Sequence, residues 1–438
     1  MFSVKNWRDG QAWKNWSENY LSFPSFYSPT TVEEVMEIVQ KHAKERKTIR
    51  ITGAAHSFSP VAMPEMSAMS LHHLRGLISV DLKAMEATFY AGTYLYEIGP
   101  LLEQYGLALI NMGDINVQSL AGVISTGTHG TGIKLGSFSS MVTKWGFVNG
   151  TGEYIEHSRG ANPLSEALHV SLGLLGVLVT VTIKVIPIYS LQYESTSQNI
   201  NTALLTFQRD IRANRHLEWY YFPGSETIQV KKMNNVDSQK ASSIQRSIEG
   251  MKLQVVENGL FYMASKLCQW RPSMSSTVSK ISSKLVSQGE RTDIYYNIFP
   301  SPRHVKFVEM EYAIPLKYFE SCMEEIHHAF KSEKFQVHFP IECRTTAGES
   351  GYLSPTQGEE SAFIAFHMFK GMDETAYFNW ARSLMRKCNG RPHWGKMNDY
   401  CAETIESYYP KNKQFNFIRM QHDPHNIFMT SYFSKIFP

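Results

Sequence analysis

Four short segments of this 438-residue chain combine residue types that could do chemistry. Gly53-Ala54-Ala55-His56-Ser57-Phe58 ends a strand in a turn of small residues. Bare N–H groups in such a turn can cradle a phosphate. Ser125-Thr126-Gly127-Thr128-His129-Gly130-Thr131-Gly132 alternates glycine with threonine and supplies backbone and hydroxyl donors with little bulk. It is neither G-x-G-x-x-G nor G-x-x-x-x-G-K-S/T, so neither a nicotinamide Rossmann site nor a P-loop is supported. Two such loops roughly 70 residues apart fit an extended cofactor with a pyrophosphate. Glu342-Cys343-Arg344 puts a carboxylate and a guanidinium on one face of a strand, where charge-assisted hydrogen bonds could hold a polyol. In His393-Trp394-Gly395-Lys396, Gly395 allows close backbone approach and Trp394 offers an aromatic wall. The Lys396 ammonium could offset negative charge developing on a reduced redox ring. Taken singly, each segment is more often structural: a turn, a surface ion pair, a core residue.

Other chemistries are excluded or unsupported. The pairs His72-His73 and His327-His328 lack metal-ligand spacing, and no Gly-x-Ser-x-Gly element is present for a hydrolase. The five cysteines (Cys268, Cys322, Cys343, Cys388, Cys401) form neither a C-x-x-C motif nor an even disulfide framework, which suits a reducing compartment. Hydrophobic residues are 43% and charged residues 19% of the chain, which excludes a mostly disordered or multi-span protein. Lys+Arg 43 against Asp+Glu 40 gives +3, too balanced to argue for nucleic acid. Aromatics at 13% and 20 Met are expected chiefly in the core. Met1 to Gly10 lacks an apolar signal core, and the stretch Leu172 to Ile188 is interrupted by Thr180, Thr182, Lys184 and Pro187. A cytoplasmic protein with no transmembrane segment is expected.

The elements that must position these residues are mixed α and β. Thr31 with Glu34 forms a capping box, and Val32, Val35, Ile38 and Val39 share the face of the helix that follows. Strands are expected at 48–52, 78–81, 87–91 and 107–110, and a helix at 98–105 closed by Gly106. Six glycines fall between Gly113 and Gly136, a density that lets backbone approach a ligand. A β-branched strand follows Ser171 and ends at Pro187, where a first domain boundary is placed. Residues 234–288 are Ser/Lys/Gln-rich and read as a helical insertion. Strands at 309–314, 336–344 and 362–369 alternate with helices at 316–330 and 373–387.

In combination these segments resemble the flavoprotein family that includes vanillyl-alcohol oxidase, and within it the sugar-1,4-lactone oxidases and alditol oxidases. Pro29 to Val35, Gly53 to Ser59, Ala121 to Gly132, Ser171 to Thr182, Glu342-x-Arg344, Leu353-Ser354-Pro355, His393 to Lys396 and Asp423-Pro424 carry the likeness over nearly the whole chain. The resemblance implies an α+β protein with a two-part FAD-binding domain of the PCMH/VAO type, residues 1–188 and 391–438, and an α+β cap over 189–390. It implies FAD, covalently bound through His56, with Gly53, Ala54, Ala55, Ser57, Phe58, Gly113, Ser119, Gly122, Thr126, Gly127, Thr128, His129, Gly130 and His393 along it. Glu342, Arg344 and Lys396 would be catalytic and, with Asp114 and His367, would line the substrate pocket. Gly113 matches a gatekeeper where a plant lactone dehydrogenase carries Ala, so the implied acceptor is O2 and the product hydrogen peroxide. Asp114 departs from the Ser of alditol oxidases, which places a sugar lactone ahead of a polyol. A dehydrogenase with a non-oxygen acceptor is the further alternative. Ala54-Ala55 lacks the second glycine common in lactone oxidases, and Ala is small enough to keep the turn.

Overall fold

The computed structural model describes residues 10–160, 162–236, 259–286, 288–301, 305–332 and 335–438. Three sheets carry the architecture. The first is parallel: β1 (Ser25–Tyr27), β2 (Ile49–Ile51) and β3 (Ser67–Met69), with β3 in the centre. The helix Val32–Glu45 links β1 to β2 and buries Val35 and Val39. Its start follows the expected capping pattern with one change. The Thr31 hydroxyl accepts from the Glu34 N–H at 3.2 Å, but the Glu34 carboxylate reaches one residue further, to the N–H of Thr30 at 2.6 Å.

The second sheet is antiparallel. It comprises β4 (Leu77–Asp81), β5 (Glu86–Tyr90), β6 (Val142–Val148), β7 (Tyr154–Ser158) and β8 (Val177–Lys184), in the order β7-β6-β8-β5-β4. The apolar stretch that begins at Leu172 is a strand only from Val177. Leu172 and Gly173 before it are left-handed, with φ of 55° and 66°, and form the turn that feeds the strand. The helix expected from Ile98 begins earlier, at Leu95. The Glu97 carboxylate accepts the Tyr94 N–H at 3.0 Å, a cap that an aromatic residue at this position does not advertise.

The third sheet has eight antiparallel strands. These are β9 (Ser190–Asn199), β10 (His216–Tyr221), β11 (Thr227–Val236), β12 (Gly289–Ile294), β13 (Phe307–Pro315), β14 (Ile341–Thr346), β15 (Ser361–Phe369) and β16 (Arg391–Pro392), in the order β12-β9-β11-β10-β14-β15-β13-β16. Strand alternation divides it sharply. On one face Trp219, Tyr221, Met310, Tyr312, Cys343, Ile364 and Phe366 pack with Phe207, Phe319 and Met323. The last three come from the helices Ile200–Ala213 and Phe319–Ser332. The opposite face is polar and carries the site.

The strand expected over 336–344 sits instead at Ile341–Thr346. Pro340 cannot donate to a ladder, and Phe339 before it packs against Phe261, ring centroids 4.9 Å apart. Within the expected helical insertion, β11 runs on to Val236, and helices occupy 259–270 and Ser275–Leu285. The rest of that segment, 237–258, lies outside the described residues. The C-terminal chain packs back on the first two sheets. Ile49 N–H donates to Ile427 O at 2.8 Å, and Gly150 N–H to His422 O at 2.7 Å. Phe428 joins Val35, Val39 and Ile49 in one core, while Phe433, Ile436 and Phe437 join Val181 and Ile183 of β8 in another. Arg391–Pro392 still pairs with β13 in the large sheet before the chain returns.

Candidate active site

A groove runs between the parallel sheet and the glycine-rich segments. Gly53, Ala54, Ala55, His56 and Ser57 line it, with Ser119, Gly122, Thr126, Gly173 and Arg50. Ala55 has φ 56°, so alanine here carries the left-handed strain that glycine would avoid, roughly 1 kcal/mol. The turn is held from outside. Trp16 N–H donates to Ala55 O at 2.6 Å, Asn15 Nδ2 to Ser57 O at 2.9 Å, and Trp16 stacks on the His56 ring with centroids 6.0 Å apart.

The groove fits an extended, anionic cofactor on two observations. Its walls are largely backbone: a Cβ on Gly53 would stand 2.4 Å from Ser119 Oγ, and one on Gly122 3.2 Å from the same atom. The buried Arg50 guanidinium also lies on it. Its hydrogen bonds go to the carbonyls of Val61, Leu172, Gly173 and Phe428, and burial lowers its pKa to about 9. A buried cation bonded to neutral carbonyls favours a neighbouring anion.

Beyond the groove, the polar face of the large sheet gathers two clusters of buried charge. In the first, the Arg344 Nη2 lies 2.9 Å from Asp114 Oδ2 and Nε lies 3.2 Å from Glu218 Oε1. The guanidinium also pairs with Glu342. The Tyr220 hydroxyl donates to Glu342 at 3.0 Å, and Lys231 Nζ sits 3.9 Å from the Tyr220 ring centroid. In the second, Lys396 Nζ is 2.6 Å from Glu309 and 4.0 Å from Glu311. His367 Nε2 faces Glu309 at 3.5 Å, and His129 Nε2 faces Glu311 at 3.4 Å. Register explains the spacing: Glu342 pairs with Ala365, and Ala365 with Glu311. A single small side chain, Ala365, therefore stands between the two clusters.

The glycine-rich loops close over this stretch of the sheet. His129 stacks on Phe363 with ring centroids 3.6 Å apart, and its Nδ1 donates to Gly130 O at 2.8 Å. Thr131 Oγ1 donates to Leu217 O at 2.6 Å, and Gly132 N–H to Thr345 O at 2.7 Å, pinning the loop to β10 and β14. Phe58 lies 5.3 Å from Lys396 Nζ, and its N–H donates to Gly395 O at 2.7 Å. His393 accepts the Gly395 N–H at Nδ1, 3.0 Å away, and burial lowers it to about 3, so it is a neutral acceptor.

Sequence-expected residues thus fall into two places. His56, Gly53, Ala54, Ala55, Ser57, Ser119, Gly122 and Thr126 line the groove. Phe58, His129, His393, Glu342, Arg344, Asp114, His367 and Lys396 meet on the polar face. Gly127, Thr128 and Gly130 shape the connecting loop. A Cβ on Gly130 would stand 2.1 Å from Met112 O, and one on Gly113 3.1 Å from His129 O, so these two loops touch through backbone. Trp394, expected as an aromatic wall, is instead core: it is fully buried, stacks on Tyr400 at 4.1 Å and donates Nε1–H to Leu353 O at 2.8 Å. Sequence reading missed Arg50, Glu218, Tyr220, Glu309 and Glu311. The alternation Glu309-Met310-Glu311-Tyr312, charged and apolar by turns, was the available signal.

Electrostatics set these groups apart. Burial, aided by Asp114 and Glu342 and opposed by Arg344, pushes Glu218 up to about 7. Glu309 goes the other way: burial opposes its charge, but Lys396 and His367 overcome that and hold it at about 2. The folded protein therefore keeps a proton on Glu218 that the unfolded chain releases. That stability is complete below the ordinary carboxylate range and is lost as pH rises through about 7. Glu218→Gln should flatten the fall in melting temperature between about pH 5 and about pH 8. Melting curves with the wild-type slope in this variant would show that another group titrates. Asp114, Glu218 and Glu342 also present oxygens within 4.8 Å of one another, but Arg344 takes the place a metal ion would fill.

Residues 181–436 match the family D-arabinono-1,4-lactone oxidase, and residues 24–158 match the FAD binding domain family. A protein named L-gulono-1,4-lactone dehydrogenase from Mycobacterium tuberculosis is 29% identical over 97% of this chain and 98% of its own length. L-gulonolactone oxidase of Bos taurus is 27% identical over 98% of each chain. Among solved structures, cholesterol oxidase from B. sterolicum superposes with a TM-score of 0.82 at 15% identity, covering 98% of this chain and 97% of that one, which shows a shared fold. Among the described residues no helix is long and apolar enough to cross a membrane.

Proposed function

The chain belongs to the D-arabinono-1,4-lactone oxidase family, and on that premise we propose that it oxidises a carbinol of an aldono-1,4-lactone with FAD and uses O2 as acceptor, releasing hydrogen peroxide. The observation that carries this reading is the pair of charged clusters, around Arg344 and around Lys396, on either side of Ala365 and roofed by the glycine-rich loop at His129. When bound, FAD supplies two-electron redox chemistry, taking a hydride from carbon and returning the electrons to an acceptor. The groove residues Gly53 to Ser57 and Ser119 to Thr126 would hold it, with Arg50 balancing its negative charge.

The protein's own groups do the rest. Arg344, fixed by three carboxylates, presents a rigid fork to lactone oxygens, and Glu342 accepts from sugar hydroxyls; such positioning is where most of the rate gain lies. Lys396 brings a positive charge to this face of the sheet and offsets negative charge at the reacting oxygen. Asp114 is engaged by Arg344, so it orients the guanidinium.

His56 is the proposed attachment point of the flavin. His56→Ala protein should release all its colour on acid precipitation, whereas wild type keeps the colour in the pellet; a yellow pellet from the variant would remove His56 from this role. Gly113 is the proposed oxygen path. A Cβ there would press on His129 O at 3.1 Å, so Gly113→Ala should slow the reaction with O2 more than sugar oxidation, as read by stopped-flow absorbance. Equal slowing of both half-reactions would contradict the assignment. The name of the Mycobacterium tuberculosis relative favours a second reading, a dehydrogenase with another acceptor. A peroxide-coupled assay across aldonolactones, alditols and hydroxy acids, run beside an artificial electron acceptor, separates the two.

A further inference from the structure

The helices 259–270 and Ser275–Leu285 bury a mixed inner face: Phe261 packs on Phe339, Val278 is buried, and Ser265, Cys268, Ser275 and Ser279 are fully buried. Their outward positions hold large apolar side chains. Trp270 is 78% exposed, Leu285 73%, Met263 61%, Leu260 57%, Ile281 51% and Leu267 40%. At 100° per residue, Leu260, Met263, Leu267 and Trp270 fall on one stripe of the first helix, and Ile281 and Leu285 on one stripe of the second. Six large apolar side chains exposed on two neighbouring helices leave these stripes for something other than the protein's own core.

Charge identifies the occupant. Between 259 and 286 the cations are Lys266, Arg271, Lys280 and Lys284, and there is no Asp or Glu. All four are exposed. A second copy seated symmetrically on the same stripes would set these cations against themselves. An anionic lipid surface satisfies both features, taking the apolar side chains into the acyl boundary and the cations at the headgroups. We propose that this helix pair docks the protein peripherally on an anionic membrane surface.

The test uses the full-length, FAD-loaded protein and sedimentation with two kinds of vesicle, phosphatidylcholine alone and an equal mixture of phosphatidylcholine with phosphatidylglycerol. Wild type should sediment with the mixed vesicles only, and added salt should release it. Lys280→Gln with Lys284→Gln should weaken binding roughly thirtyfold, the worth of two cations at an anionic leaflet. Trp270→Asp with Leu285→Asp, on fully solvated positions, should abolish sedimentation while melting temperature and flavin content stay at wild-type values. Three results would each overturn the proposal: wild type that stays in solution with mixed vesicles, double variants that bind as wild type does, or a wild-type dimer that the Asp substitutions split and that no vesicle captures.

Discussion

Arg344→Leu should cost about 3–5 kcal/mol of stability and lower kcat/KM on the lactone by about two orders of magnitude or more. Asp114, Glu218 and Glu342 are all buried, and one guanidinium contacts all three. Without it, Asp114 and Glu342 stay buried beside Glu218 with no cation to balance them, and removing one partner of a buried pair is far more costly than the net worth of the pair. The deficit should shrink as pH falls and the carboxylates take up protons, which separates charge imbalance from a simple packing defect. Arg344→Lys should recover only part of either loss, because a single ammonium cannot meet Asp114 at one edge and Glu218 at another. Melting temperatures measured at about pH 5 and about pH 8 check this. A uniform deficit across that range would show that charge is not what Arg344 balances.

Lys396→Met should reduce kcat by about two to three orders of magnitude, the usual cost of removing one positive group aimed at developing charge. It should also destabilise the fold, since Lys396 offsets burial at Glu309 and, after His129, at Glu311. Glu309 holds its charge down to about pH 2, so its contribution is present above the ordinary carboxylate range and is lost only as pH falls through about 2. Pairing Lys396→Met with Glu309→Gln removes one unbalanced carboxylate and should restore much of the melting temperature. Turnover should stay low, because the neutral pair puts no positive charge at the reacting oxygen. Joint recovery of stability and turnover would reduce Lys396 to a structural counter-ion.

Much of this arrangement was legible in the sequence, where local chemistry decides it. Thr31 and Glu34 announced the first helix, and the two small-residue turns announced a groove because few side chains stand between their backbone and a ligand. Strand period placed Glu342 and Arg344 on one face. What escaped depends on partners distant in the chain. Glu218 and Glu309 read as ordinary strand carboxylates until β10, β14, β15 and β13 come together, and only the register shows Ala365 as the gap between two charged clusters. Trp394 failed as an aromatic wall for the same reason: Tyr400 and Tyr409 stack on it from a segment whose path the local sequence does not specify. The shifted edge at Ile341 turned on Pro340, a residue that reads as one of a run until its missing N–H is set against a ladder.

The most direct measurement is the anaerobic mixing of FAD-loaded protein with D-arabinono-1,4-lactone and with L-gulono-1,4-lactone, followed in the visible flavin absorption, with air admitted afterwards. At least one lactone should bleach the flavin within the turnover time, Lys396→Met should bleach far more slowly, and air should restore the colour with one hydrogen peroxide formed per flavin. Flavin that stays oxidised in the presence of both lactones, in protein with a full complement of FAD, would contradict the proposed reaction.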